Sequence, residues 1–135
     1  IRAVWVDLAR LPESGLVLTY AVEDLDEVKL PPAQAPLRTD GLWKTTCFEL
    51  FLRRRLGYWE SNFSPSGQWA AYAFTSYRDG MTSLPLPEPP VISRVQNGIQ
   101  VALRVPEDGR RDAWDIGVSA VLEEFGGSRS FWALA

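Results

Sequence analysis

Apolar and polar side chains alternate along most of this sequence, and clusters of Gly, Pro, Asn and Ser interrupt the alternation at short intervals. A helix would need its apolar residues every three or four positions, so a chain written this way buries one face of each segment only as β-strand. Ile1, Ala3 and Trp5 alternate with Arg2, Val4 and Val6 in an opening strand that ends near Arg10-Leu11-Pro12. Ser14-Gly15 marks a turn, and Leu16 to Val22 is a β-branched and aromatic run of strand composition. Glu23 to Thr39 combines an acidic cluster with Pro31, Pro32 and Pro36, which lack the N–H donors of a central strand, and reads as a long loop.

The alternation is sharpest from Cys47 to Arg53, where Phe48, Leu50 and Leu52 take one side and Cys47, Glu49, Phe51 and Arg53 the other. Tyr58 to Ser64 repeats it, with Tyr58, Glu60, Asn62 and Ser64 opposed to Trp59, Ser61 and Phe63. Pro65-Ser66-Gly67 turns the chain into Gln68 to Phe74 and predicts a hairpin. Leu84 to Pro90, with four prolines, is an extended connection. Val91 to Gln96 and Ile99 to Val105 flank Asn97-Gly98, a dipeptide suited to a type I′ turn. Trp114 to Glu123 and Ser128 to Leu134, separated by Gly126-Gly127, make the last pair. About nine strands with no sustained helical period predict an all-β fold, an antiparallel β-sandwich, in one domain spanning 1–135.

Composition narrows the chemistry. With 14 Lys and Arg against 17 Asp and Glu, the net charge of −3 has the wrong sign for a domain that lives on phosphate backbones, so no nucleic-acid partner is expected. The sequence contains no histidine, which removes the commonest general base and metal ligand, and haem has no His to pair with Met81. The single cysteine, Cys47, forms no internal disulfide or thiolate cluster and reads as a small packed residue, consistent with a reducing, cytoplasmic setting. No apolar run approaches the length of a membrane span, so no membrane partner is expected. The sequence begins at Ile1 and not Met, and reads as trimmed there.

Several groups remain as candidates. Glu49 and Glu60 lie on adjacent predicted strands, so a pair of acids is possible, as is a solvated or salt-bridged pair. Glu23, Asp24, Asp26 and Glu27 offer oxygen ligands for calcium without the spacing of a helix-loop-helix calcium site. Arg53-Arg54-Arg55 suggests an anion patch, but an alternating strand splits three charges between faces. Six tryptophans are available to stack on sugar rings. Trp5, Trp69 and Trp114 read as core, while Trp43, just after Asp40-Gly41 at the end of the long loop, suits a binding role or the core equally.

Residues Arg38 to Leu52 (RTDGLWKTTCFELFL), Asn62 to Tyr72 (NFSPSGQWAAY) and the closing Ser130 to Ala135 (SFWALA) together resemble the bacterial DOMON-like domain proteins, relatives of the family 9 carbohydrate-binding modules. The resemblance covers nearly the whole chain. It implies a β-sandwich whose concave sheet holds a ligand, with Trp43 and Glu49 lining the site, Asn62 as their polar neighbour on the adjoining strand and Trp132 as a second stacking ring. Other members usually continue past the late Trp-Ala-Leu-Ala with a short histidine-bearing tail, and the related haem-binding domains depend on Met and His ligands.

These readings converge on non-catalytic binding of a carbohydrate or other small polar ligand through Trp43, Glu49, Asn62 and Trp132, with no cofactor. Two alternatives follow from the same residues: an enzyme using Glu49 as acid or base on a sugar or cell-wall precursor, and a protein-interaction module built on the aromatic surface. Nothing in the pattern sets an oligomeric state.

Overall fold

The computed structural model describes residues 3–55, 57–106 and 115–134. Among these, ten strands form: β1 (Val4–Leu11), β2 (Gly15–Val22), β3 (Cys47–Arg53), β4 (Tyr58–Phe63), β5 (Trp69–Phe74), β6 (Thr82–Ser83), β7 (Val91–Val95), β8 (Gly98–Arg104), β9 (Asp115–Glu123) and β10 (Arg129–Leu134). Two 3-10 turns, η1 (Leu25–Glu27) and η2 (Leu42–Lys44), lie in the long connection between β2 and β3. All strand pairings are antiparallel, in one sheet of order β1-β2-β8-β7 and a second of order β10-β9-β3-β4-β5-β6. The all-β sandwich expected from the alternation is therefore the observed fold. The extra strand is β6, which pairs only with Tyr72 and Ala73 at the sheet edge and is too short to carry a readable period.

The two sheets bury the faces that the alternation marks. Leu16, Leu18, Tyr20 and Val22 of β2, with Ile99, Val101 and Leu103 of β8, meet Phe48, Leu50 and Leu52 of β3, Trp59 and Phe63 of β4, and Val118, Ala120 and Leu122 of β9. Each large side chain withdrawn from water here is worth ~1.5–3 kcal/mol. Tyr20 also ties the layers together: its ring packs on Phe48 at 5.0 Å between centroids, and its hydroxyl donates to the backbone oxygen of Glu49 at 2.8 Å. The core thus holds in place the strand from which Glu49 projects outward.

Two local expectations are corrected. Trp5 is 55% exposed and pairs with Ala21 on the outer side of the four-stranded sheet, while Val4 and Val6 pack against the core. Both phases of the opening alternation are apolar, so the partner strand decides: Val4 and Val6 register with the buried Val22 and Tyr20. The β7-β8 turn falls on Gln96-Asn97, because Val95 registers with Gly98, and neither turn residue has a positive φ. Gly98 is needed for a different reason, since a Cβ there would lie 1.9 Å from the backbone oxygen of Tyr20. Trp69 is buried, as expected. The readings that fall on Ile1, Arg2, Trp114 and Ala135 lie outside the described residues. Among the described residues no helix is long and apolar enough to cross a membrane.

Close approach and turn chemistry make opposite demands on the two residues of the Asn97-Gly98 pair. Gly98→Ala is expected to destabilise the protein by ~2–3 kcal/mol, because the methyl group meets backbone, and Asn97→Ala by no more than ~0.5 kcal/mol. Urea unfolding of both variants checks this; equal losses would restore the turn explanation.

Candidate functional site

The face of the six-stranded sheet turned away from the core carries the polar chemistry. Because β3 buries Phe48, Leu50 and Leu52, it must present Cys47, Glu49 and Phe51 on the other side. Antiparallel register then sets their neighbours. Glu49 lies between Ser119 of β9 and Asn62 of β4, and Asn62 is followed by Ala70 of β5. In the next row Gly117, Phe51, Glu60, Tyr72 and Ser83 follow one another across five strands. Glu49, Glu60, Asn62 and Ser119 form one cluster at the centre of this face.

The cluster is hydrogen-bonded internally. The Ser119 hydroxyl donates to Glu49 Oε1 at 2.6 Å. Asn62, only 1% exposed, is oriented by its surroundings, since its carbonyl oxygen would otherwise face acceptors alone. With Nδ2 toward the acids it lies within donating distance of Glu49 Oε2 at 3.3 Å and Glu60 Oε2 at 3.1 Å. One amide nitrogen therefore bridges two carboxylates. Burial pushes the Glu49 carboxyl above the ordinary glutamate range, with Ser119 opposing the shift. Glu60 is pushed up by burial and by the charge of Glu49, against the Asn62 hydrogen bond and Arg78. Two partly desolvated acids that repel each other hold a proton more tightly than either would in water.

Two open hollows flank the cluster. On one side a cleft of about 650 Å³ is lined by Phe51, Arg53, Arg54, Tyr58, Tyr77 and Gly117 among others. Its aromatic wall is ordered, with Tyr58 stacked on Phe74 at 4.6 Å and 8°. On the other side a hollow of about 290 Å³ is bounded by Arg38, Asp40, Tyr72 and β6. Glu60 stands between the two, its row running from Phe51 and Gly117 in the cleft to Tyr72 and Ser83 in the hollow.

The long connection after β2 is fastened to this sheet. The Arg38 guanidinium donates to the backbone oxygens of Ala71 (2.9 Å) and Leu84 (2.8 Å) and to Ser83 Oγ (3.1 Å), and lies 4.4 Å from the centre of the Trp69 ring. Tyr72 donates to Asp40 at 2.5 Å, and burial together with that bond keeps the phenol protonated well above its ordinary range. Leu42 of η2 then packs on Cys47 and Ala70. The adjacent Trp43 is left 48% exposed, with the Lys44 ammonium 6.0 Å from its ring centre.

Of the residues expected at the site, Glu49 and Asn62 come together as register partners, while Trp43 is exposed on a turn that packs against β3 and β4. Trp132 does not join them. It registers with Ala120 and packs against the interior, its indole N–H donating to Ser130 Oγ at 2.9 Å. The residue before it, Phe131, pairs with Val121 on the outward face and is exposed. The reason is parity: two successive residues of a strand cannot face the same way. Ser119 was not anticipated, because its place beside Glu49 depends on the long-range pairing of β9 with β3. Cys47 is free and buried, and burial beside Glu49 and Glu60 pushes its thiol up, which suits packing and not nucleophilic attack. Among the described residues, no three His, Cys, Asp or Glu side chains gather to hold a metal ion.

The raised acids have a thermodynamic signature. A carboxyl that binds its proton more tightly when folded contributes stability that is complete below the unfolded value, near 4.3, and is lost as pH rises through the folded one. Glu60→Gln is therefore expected to be more stable than the parent chain at pH 7, with the gap closing as pH falls toward 4. Urea midpoints measured across that range check the sign; a gap that widens on acidification contradicts it. As for known proteins, no family model, no curated protein and no solved structure matches the chain.

Proposed function

We propose that the outward face of the six-stranded sheet is a non-catalytic binding site for a carbohydrate or similar polyhydroxylated ligand. The observation that carries this reading is the Glu49-Asn62-Glu60-Ser119 cluster, in which Asn62 is buried, both acids and Ser119 are partly exposed, and Phe51 and Tyr72 are the register neighbours of Glu60. Sugar hydroxyls both donate and accept, and carboxylates, an amide and a hydroxyl meet both needs, while C–H faces of the ring lie against aromatic planes. Trp43 supports the reading because its ring is exposed on a turn packed against β3 and β4, although Leu42, its neighbour, is buried. The likeness of the Arg38 to Leu52 and Asn62 to Tyr72 segments to the DOMON-like domains points the same way, and that kinship is part of the proposal.

A second reading has one observation in its favour, the raised proton affinity of both acids, which suits Glu49 to act as acid or base on a bound sugar. Isothermal titration against a panel of mono- and oligosaccharides separates the two. Binding without turnover is expected, with Trp43→Ala weakening it about five- to tenfold through lost stacking. Glu49→Gln is expected to weaken it about tenfold or more through the loss of a charged hydrogen-bond partner. Heat from no sugar, or undiminished binding by Trp43→Ala, removes the proposal, and a turnover that disappears in Glu49→Gln replaces it with the enzyme.

A further inference from the structure

The arginine run divides at the end of β3, and one member stays on the outward face. The Arg54 N–H is bonded to Gly57 O at 3.0 Å in the turn that follows β3 and its guanidinium lies 4.2 Å from the ring centre of the core residue Trp59, whereas Arg53, in phase with Phe51, borders the 650 Å³ cleft from the outward face. We propose that this cleft holds an anionic group, a phosphate or a carboxylate, carried by the same sugar-like ligand whose hydroxyls meet Glu49, Asn62 and Glu60. This rests on the reading of the outward face as a sugar site and names the ligand class more narrowly.

The geometry supplies the spacing. Arg53 lies two residues beyond Phe51, the register partner of Glu60, about 7 Å along the strand, which is about the length of a pyranose together with an exocyclic anionic group. The groups present suit an anion. No hydrogen bond or ion pair occupies the Arg53 guanidinium among the described residues, not even with its register partner Asp115, which also borders the cleft. A guanidinium presents paired N–H donors that match phosphate and carboxylate oxygens. The Tyr58 oxygen already accepts the Arg78 N–H at 3.0 Å, leaving the phenolic proton to be donated. Asp115 bars an anion from its own side and directs it toward Arg53.

The test is titration at pH 7 of the whole chain with D-glucose, D-glucose 6-phosphate, D-glucuronate and inorganic phosphate. Each is applied to the parent chain, to Arg53→Ala and to Arg10→Ala, a control that removes the same charge from the other sheet. At least one anionic sugar is expected to bind tenfold or more tighter than glucose, and which of the two does so tells phosphate from carboxylate. Arg53→Ala is expected to erase that margin while glucose binding stays within twofold, and Arg10→Ala to leave both unchanged. Equal binding of glucose and both anionic sugars, or a margin that survives Arg53→Ala, overturns the proposal and leaves the sugar reading standing. Binding of inorganic phosphate that is lost in Arg53→Ala, with no sugar bound, keeps the anion cleft and removes the sugar site. No binding by any of the four removes both.

Discussion

A strand that buries every second side chain cannot choose where the others go, and β3 is the strand on which this molecule depends. Phe48, Leu50 and Leu52 fill the space between the sheets, and Tyr20 reaches across from the opposite layer to bond the backbone of Glu49. Glu49 is thereby fixed on the outward face in the middle of a six-stranded sheet, with β4 on one side and β9 on the other. Its neighbours Asn62 and Ser119 follow from register alone. The polar cluster is a consequence of core packing on the reverse side of the same strand.

That placement carries an energetic cost. Two carboxylates half removed from water, sharing one amide nitrogen, are held against desolvation and mutual repulsion. Such an arrangement is not needed by a sandwich, whose core is complete without it. Sites that bind polar ligands commonly contain groups less favourable to folding than their replacements would be. The open hollows on both sides of Glu60, and the exposed Trp43 beside a buried Leu42, fit that trade.

How much of this could be read from the residues differs by kind of information. Face assignments on β3 and β4 were legible, because strongly apolar and strongly polar side chains alternate there and only one phase buries well. In β1 both phases are apolar, so Trp5 was placed inward until pairing with β2 showed Val4 and Val6 there. Gly98 was legible as a special position but not for its cause, since the approach of the Tyr20 carbonyl comes from a strand distant in sequence. The site shows the same division. Glu49 and Asn62 were found because local alternation puts them on one face of neighbouring strands. A pairing across 70 positions hides Ser119, and the resemblance places Trp132 at the site by position, with no sharp motif behind it, although parity within β10 turns it inward. Strand parity separates Arg53 from Arg54 as the alternation suggests, with the Arg54 guanidinium over the ring of the core residue Trp59.

Amide chemical-shift mapping reports where a ligand sits on the two sheets without assuming any residue's role. On addition of glucose 6-phosphate or glucuronate, at least one of the two is expected to produce shifts concentrated at Glu49, Glu60, Asn62, Ser119 and Arg53, with the β1-β2-β8-β7 sheet unmoved. Shifts centred on that other sheet, or none with either sugar at millimolar concentration, would contradict this placement.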